Sequence, residues 1–346
     1  FMEDKMDSIK TTDINETQGL PIVEPTSFLG YKFNVDVSTQ QALELAKLDY
    51  EIGFEQSDKI PSFIDLFVED NGNKKYFHST RNSYKVVQNR DLAKQIDDLT
   101  TQFPNAKWST MGKVHEVNGI GTTVFMTKRV EELDILVDGD RTETYIFGQT
   151  SHNSRTAFSL GIMFNRIFCS NQLPSVMANG NLVNRKHTDK IFDNLKVSKK
   201  VFELGLQNSQ IMNKVGNDLA LKKATIDDVW KIFELNRPMP EIKFDKGVET
   251  PRSKGAVKQW ENTRDLIHDV WNGKTNRGNT MQNLDNNGWK VLQTFIEVSD
   301  KFGGHGDVKQ KLTSELFNND RQQKRQDWLD ATLNHFELNK EDYVVA

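Results

Sequence analysis

The fold is organised around one stretch of the chain, which reads Thr150-Ser-His-Asn-Ser-Arg-Thr-Ala-Phe-Ser-Leu-Gly-Ile-Met-Phe-Asn-Arg-Ile-Phe-Cys-Ser-Asn171. It opens with polar residues, continues as an apolar and partly alternating run, and closes on a Cys-Ser-Asn sequence. Apolar and polar residues that alternate in this way predict a half-buried β-strand. The polar side chains of Arg166 and Asn171 are then expected where the sheet meets a surface or a partner.

Three dipeptides upstream of this stretch are typical of tight β-turns, and they are Asn71-Gly72, Asn118-Gly119 and Asp138-Gly139. Each lies between two short segments of strand-forming composition, so three antiparallel hairpins are expected. Their strands are predicted over residues 63–68 and 74–78, 106–117 and 121–130, and 133–137 and 143–149. A further short strand is predicted over residues 83–88.

Helices are expected before and after these hairpins. Ser38 and Gln41 have the spacing of a capping box, and Gly53 is expected just beyond the end of the helix that they begin. Asn89 is expected to cap a second helix, whose apolar residues at Leu92, Ile96, Leu99 and Phe103 form one amphipathic stripe. Beyond about residue 184, helices are expected over residues 188–212, after Thr225, and over 256–271, 280–302 and 321–336.

These patterns predict an α+β fold, in which an antiparallel sheet of hairpins carries a packed helix and is followed by a mostly helical C-terminal half. Three regions are expected. They are an N-terminal arm and entry strand over residues 1–37, an α+β core domain over 38–183 and a helical region over 184–346.

Composition restricts the class of protein. The 346 residues carry a formal net charge of −4, which argues against a generally basic nucleic-acid coat but permits a local positive stripe. A single cysteine, Cys169, rules out an internal disulfide and suits a reducing cytoplasm, where we expect this protein; its apolar surroundings favour a buried thiol over a nucleophile. No apolar run is long enough to span a membrane, so no membrane partner is expected.

Motifs of familiar enzymes are missing from the sequence. It contains no Walker-type phosphate loop, no complete G-x-G-x-x-G, no G-x-S-x-G and no zinc-binding H-E-x-x-H or cysteine pair, so no catalysis, cofactor or metal is expected. His152, followed by Asn153 and Ser154, fits either a catalytic or metal cluster or a polar turn at the start of a strand. We favour the turn, and an enzyme centred on His152, Asn171 and His187 stays open as an alternative.

Basic residues are the second feature with a functional interpretation. A positive groove with aromatic platforms is the usual equipment of proteins that bind single-stranded nucleic acid, and Trp108, His115 and Phe125 are candidate platforms. The candidate binding residues are Arg155, Arg166, Arg185, Lys186, His187, Lys190, Lys128 and Arg129. The alternative is ordinary solvation, since nearby acidic residues dilute the charge.

Several spaced motifs resemble a phage- and plasmid-borne family, the domain-of-unknown-function family 932. The motifs are Tyr84-x-x-Val-Gln-Asn89, Ser151-His152, Arg166-x-x-Cys169-x-Asn171 and Lys186-His187-Thr188. The chain departs from the family where Asn153-Ser154 replaces an Asp-Gly pair and where Gln172 replaces Thr, so a role that needs a carboxylate after Ser-His is in doubt. The resemblance implies a role in replication, recombination or conflict with a host.

We therefore expect a phage or mobile-element protein that binds single-stranded DNA as a homo-oligomer and promotes annealing or recombination. The order of a helix followed by antiparallel strands also resembles, distantly, phage single-strand annealing proteins. The alternative is a non-enzymatic interaction protein, such as a host-defence inhibitor or a virion-associated factor with a host or phage protein partner.

Overall fold

Antiparallel sheets and packed helices make this an α+β protein, as predicted. The computed structural model describes residues 30–154, 157–166, 182–187, 195–275, 279–302 and 319–343. The strands lie mainly in the first half of the chain and the longer helices in the second half. The expected N-terminal arm lies outside the described residues, apart from the strand that ends it.

The large sheet contains two of the three predicted hairpins, those that turn at Asn118-Gly119 and at Asp138-Gly139. Its order is β1-β5-β6-β8-β9-β10, with β7 also paired to β8, and the neighbours run antiparallel. The strands are β1 (Gly30–Lys32), β5 (Lys107–Val117), β6 (Ile120–Arg129), β7 (Ile135–Val137), β8 (Asp140–Ser151), β9 (Phe158–Arg166) and β10 (Leu182–Arg185).

A second sheet contains the first predicted hairpin and adds one strand to it that was not predicted. It has the order β2-β3-β4, and its strands are β2 (Ile52–Gln56), β3 (Phe63–Asp70) and β4 (Asn73–Arg81). Gly53 lies inside β2 and does not end a helix; a Cβ there would come 2.6 Å from the ring of Phe67. Residues 83–88 are not a strand of either sheet but an extended connection to the next helix.

The three predicted turns are confirmed. In each of them the Asn or Asp and the following Gly have positive φ angles, for example 51° at Asn118 and 80° at Gly119. A type I′ turn needs this conformation at both central residues, and Asn, Asp and Gly adopt it with the least strain. The dipeptides therefore set the pairing of β3 with β4, β5 with β6, and β7 with β8.

Strand β9 lies deeper in the protein than its sequence pattern indicates. Each residue from Phe158 to Asn165 is buried, where the partial alternation predicted a strand with one exposed face. The strand is paired on both sides, with β8 and with β10, and helix α3 (Leu195–Ala220) packs against it. A strand covered on both faces does not need the apolar–polar alternation of a half-exposed one.

Two helices pack against strands β5, β6 and β8 of the large sheet. Helix α1 (Thr39–Leu45) begins with the predicted capping box of Ser38 and Gln41. Helix α2 (Asn89–Thr100) is capped by Gln88, one residue earlier than predicted, because the capping box is formed by Gln88 and Asp91. Its buried Leu92 and Ile96 lie over Gly148 of β8, where a Cβ would come within 2.7 Å and 2.9 Å of their Cδ1 atoms.

The C-terminal half is mainly helical, as expected, with several changes of boundary. The further helices are α4 (Ile226–Asn236), α5 (Pro251–Trp271), α6 (Gly288–Glu297) and α7 (Asn319–His335). The helix predicted over residues 280–302 begins only at Gly288 and continues as a π-helix over Val298–Phe302. The helix predicted over residues 188–212 corresponds to α3, which continues beyond it to Ala220; residues 188–194 lie outside the described residues. A small hairpin of β11 (Phe244–Asp245) and β12 (Val248–Glu249) precedes α5.

A large hydrophobic cluster extends from the large sheet into the helices, and a smaller cluster lies on the second sheet. Asp140, at the start of β8, is fully buried and accepts hydrogen bonds from the indole of Trp289 at 2.9 Å and from the amide of Asn283 at 3.0 Å. The boundary that we predicted between residues 183 and 184 falls inside β10. Whether the two parts fold as separate domains stays a prediction.

None of the helices among the described residues has the length and apolar character needed to cross a membrane.

Candidate functional site

Three of the four motifs that carry the resemblance meet where the end of β8 and the start of α2 come together with the connection before α2 and the residues after β10. The fourth, Arg166-x-x-Cys169-x-Asn171, extends outside the described residues. This junction contains two buried histidines, His152 and His187, each with a polar shell of its own. They are separated along the chain but belong to two motifs of the same resemblance. We therefore describe the junction as the candidate functional site.

His152 lies inside the protein. Its side chain is 0% exposed, its amide donates to the carbonyl of Thr122 at 2.7 Å, and its Nε2 lies 3.0 Å from Oδ1 of Asn89. Residues 152–154 do form the predicted polar turn, with Ser154 at a positive φ of 57°. The sequence placed the turn correctly but gave no indication that the imidazole points inward.

The hydrogen bonds of Asn89 determine which tautomer His152 adopts. The Nδ2 group of Asn89 donates to the carbonyl of Leu48 at 2.9 Å, so its Oδ1 faces the imidazole and accepts from Nε2–H. Nδ1 therefore carries the lone pair, and it has no hydrogen-bond partner among the described residues. Burial, with a smaller contribution from His187, lowers the pKa of His152 to about 3, so the ring is neutral at pH 7.

His187 is held against Tyr84. The two rings stack with centroids 4.7 Å apart and an interplanar angle of 13°. The Nδ1–H of His187 donates to the carbonyl of Lys85 at 3.0 Å, and the amide of Lys85 donates to the carbonyl of His187 at 3.1 Å. Burial lowers the pKa of His187, although the bond to Lys85 opposes this shift. A neutral ring is favoured at this position too.

Hydroxyl and amide groups connect this junction to the sheets. The phenol of Tyr84 donates to the carbonyl of Ser151, and burial raises the pKa of Tyr84. Ser151 donates through its hydroxyl to Asn153 at 2.6 Å, and the amide of Asn153 donates to the hydroxyl of Thr122 at 2.9 Å. The hydroxyl groups of Ser154 and Thr80 are 2.9 Å apart, which ties the turn to β4.

The junction offers few ligands for a metal ion. Nδ1 of His152 and Nε2 of His187 are lone-pair nitrogens without a hydrogen-bond partner among the described residues. Structural and catalytic zinc sites use three or four protein ligands. Within the part of the chain that the structure describes, no group of three or more His, Cys, Asp or Glu side chains is placed to hold a metal.

Exposed cations flank the buried pair. Lys85 is hydrogen-bonded to His187, and Lys186 directly precedes His187 in the chain. The two lysines are therefore adjacent in space. Arg81 lies at the end of β4, and its carbonyl accepts from the amide of Tyr84 at 2.9 Å. All three side chains are exposed, and neither Arg81 nor Lys186 has an ion-pair partner among the described residues. We call Arg81, Lys85 and Lys186 the basic rim.

Two of the predicted cations have other partners. Lys128 pairs with Asp97 at 2.7 Å, and Arg129 is largely buried between Asp134 and Glu143. Their charges are therefore balanced within the fold, which differs from the free positive charges that the sequence indicated. The acidic partners lie far away in sequence or on a neighbouring turn, so the positions of lysines and arginines alone do not show this neutralisation.

Two of the three predicted aromatic platforms are inside the protein. Trp108 is 3% exposed and donates to the hydroxyl of Thr39 at 3.1 Å, while Phe125 is 0% exposed. The third, His115, is exposed on β5. His187, a candidate binding residue, is buried under its stack with Tyr84. Without rearrangement, Trp108, Phe125 and His187 do not present a ring face to a strand of nucleic acid.

The remaining predicted residues divide into two groups. Arg166 ends β9, where it is opposite Thr142, and Arg185 ends β10, where it is opposite Phe158. The others lie outside the described residues, and they are Arg155, Cys169, Asn171 and Lys190.

Four residues of the site were not predicted as members of it from the sequence. They are Tyr84, Asn89 and the basic-rim residues Arg81 and Lys85. The motif Tyr84-x-x-Val-Gln-Asn89 carried a usable indication, since its polar residues are buried or half-buried in the fold. Gln88 bonds both the amide and the carbonyl of Ile52, at 2.8 Å and 3.0 Å, and so fixes the connection before α2 to the smaller sheet.

The comparison with protein families agrees with the resemblance of these motifs. The family model described as Domain of unknown function (DUF932) matches residues 77–330, so the chain belongs to this family. The match covers the junction, both histidines and most of the helical half. No curated protein and no solved structure gives a significant match to the chain.

Proposed function

We propose that the protein binds single-stranded DNA as a homo-oligomer and serves annealing or recombination in a phage or mobile element, without catalysis. The observation that carries the proposal is the basic rim, where two hydrogen bonds between Lys85 and His187, one from the imidazole of His187 and one from the amide of Lys85, bring exposed Lys85 close to Lys186. Phosphate contacts supply most of the affinity for single strands, and cations held in place by the fold make such contacts at a lower entropic cost.

The rim also has candidate extensions. Arg155 directly follows the turn at Ser154, which is tied to β4, and Arg185 and Lys190 flank Lys186 and His187 in sequence. The oligomeric state and the cytoplasmic location that we propose rest on the resemblance to phage proteins and on composition.

Charge reversal tests this proposal. Lys85→Glu/Lys186→Glu is expected to weaken binding to a fluorescein-labelled oligothymidylate by about tenfold or more at low salt, since two phosphate contacts are lost. Lys94→Glu/Lys324→Glu is the matched control, because it makes the same charge change at exposed positions of α2 and α7. Fluorescence anisotropy measures the affinity and circular dichroism checks the fold. Equal loss in both double variants would contradict an assignment to the rim.

A second candidate function, a protein-interaction surface, is favoured by a cluster of apolar side chains in the helical half. Leu235 is 81% exposed, Phe244 65% and Val248 70%, and they lie at the end of α4 and on the β11–β12 hairpin. Exposed apolar side chains close together in a chain are typical of contact surfaces. Phe244→Asp/Val248→Asp would then abolish a nuclease-resistant complex with a host or phage protein and leave DNA binding unchanged.

A further inference from the structure

A cleft of about 430 Å³ lies between α4, α5 and the start of α6, on elements that contribute nothing to the basic rim. Its lining includes Trp230, His268, Trp271, Asn272 and Asn286. His268 is about half exposed, whereas Trp271 is almost completely buried and forms part of the core. The cleft therefore combines accessible aromatic rings with a buried aromatic ring that belongs to the core.

The aromatic rings in this cleft are aligned. Trp230 and His268 have an interplanar angle of 7°, with centroids 6.4 Å apart, so a planar molecule that lies on one ring is parallel to the other. The guanidinium of Arg264 lies 4.9 Å from the centroid of Trp230 and 5.9 Å from that of Trp260. Its positive charge therefore lies over a face of the Trp230 ring.

A second cation lies at the other side of the cleft. The ammonium of Lys290 is 4.5 Å from the ring centroid of Trp271 and donates to Oδ1 of Asn286 at 2.8 Å. Partial burial lowers the pKa of Lys290, and Asp285 opposes that shift. Besides Asp285, acidic groups near the cleft include Asp269, 3.6 Å from His268, and Asp228, which accepts from the amide of the lining residue Thr225 at 2.8 Å. A negatively charged ligand would therefore have to contact Lys290 directly.

We infer that this cleft binds a nucleotide unit, with the base against Trp230 and His268 and the phosphate toward Lys290. Aromatic faces bind every base because each base has a π-face, and a nearby cation adds affinity for phosphate. The same chemistry could come from a free nucleotide or from one base of a longer strand. The inference goes beyond the proposed function, since a free nucleotide can bind in the cleft whether or not the basic rim binds DNA.

The test is a calorimetric titration of the full chain. Deoxyadenosine monophosphate, deoxyadenosine and inorganic phosphate are titrated separately. We expect the mononucleotide to bind and His268→Ala to weaken it by about 5- to 150-fold, the range found when base-stacking side chains are removed. Tyr31→Ala is the control, because Tyr31 is an exposed aromatic residue on β1, and it is expected to bind like the wild type. Arg264→Ala provides a second variant on the same surface.

The outcomes separate the cleft from the basic rim. Binding of the mononucleotide that is lost in His268→Ala and retained in Lys85→Glu/Lys186→Glu supports the cleft, even if single-stranded DNA does not bind at all. Absence of mononucleotide binding, or equal affinity in the wild type and in both cleft variants, overturns the inference and leaves the basic rim untouched. Binding of phosphate alone with the same affinity, and none of deoxyadenosine, also overturns it, because the base would then contribute nothing.

Discussion

His152 shows how one buried side chain makes stability depend on pH. Its pKa is about 3 in the folded protein, against 6.5 for an ordinary histidine. Below about pH 6.5 the unfolded chain therefore binds a proton that the folded protein excludes, and the free energy of unfolding falls with falling pH. The loss continues toward pH 3, where the folded imidazole would also be protonated, and His187 acts in the same direction.

We predict a slope of up to about 1.4 kcal/mol per pH unit from His152 between about pH 6 and pH 4. Urea unfolding of the wild type and of His152→Gln at several pH values measures it. Carboxylates titrate in both proteins, so the difference between the two slopes isolates the histidine. If the two proteins lose stability in parallel, the imidazole is not excluded from protonation and its assigned environment is wrong.

Residue by residue, sequence predicts local contacts and misses distant ones. The Ser38–Gln41 capping box and the turns at Asn118-Gly119 and Asp138-Gly139 depend on neighbours within three residues, and they were predicted correctly. The bond between His187 and Lys85 joins residues 102 positions apart, and Lys128 finds Asp97 31 positions away. No local pattern encodes such pairs, so Lys186 was named as a candidate without Arg81 and Lys85, and the ion pair of Lys128 with Asp97 was not predicted.

Between elements, a buried ion pair connects the π-helix to α7. Nε of Arg325 donates to Oδ1 of Asp300 at 2.8 Å, and both side chains are 0% exposed. Arg325→Met should lower the free energy of unfolding by about 3–5 kcal/mol, since it leaves a buried carboxylate without its main countercharge. Asp300→Leu/Arg325→Met should lose less than this single variant, because the double change removes both charges.

Chemical denaturation of the two variants measures the effect. The exposed pair of Lys340 and Asp330 is the control, and Lys340→Met is expected to cost less than about 1 kcal/mol. A double variant that is less stable than Arg325→Met would show that the two side chains contribute independently, and the buried pair would then not be coupled as proposed.

Helices and strands were predicted best where a short sequence motif determines them and worst where tertiary packing determines them. The turn dipeptides predicted the hairpins, whereas β2 joins its sheet only through a partner strand that the local sequence does not specify. Partial alternation in β9 suggested an exposed face, yet pairing on both sides and the packing of α3 bury the strand. The start of α6 at Gly288 is fixed by its cap, Asn287, whose side chain accepts from the amide of Lys290 at 3.0 Å.

At the scale of the whole molecule, the two halves share contacts that a division at residue 183 would break. Asp140 and Trp289 are 149 positions apart and form a buried hydrogen bond. The DUF932 match over residues 77–330 covers both partners. The exposed cations of the proposed DNA contact lie on the sheet-bearing half, and the aromatic cleft lies on the helical half.

The basic rim is proposed to bind single-stranded DNA on a protein whose net charge is −4. The most direct measurement is a salt titration of binding to labelled single- and double-stranded DNA, with the mass of the complex determined in the same buffers. We predict preferential binding to single strands by an oligomer, with log affinity falling linearly against log salt, and a slope that decreases by about 1.4 in Lys85→Glu/Lys186→Glu. Absence of binding to single strands at low salt would contradict the proposal.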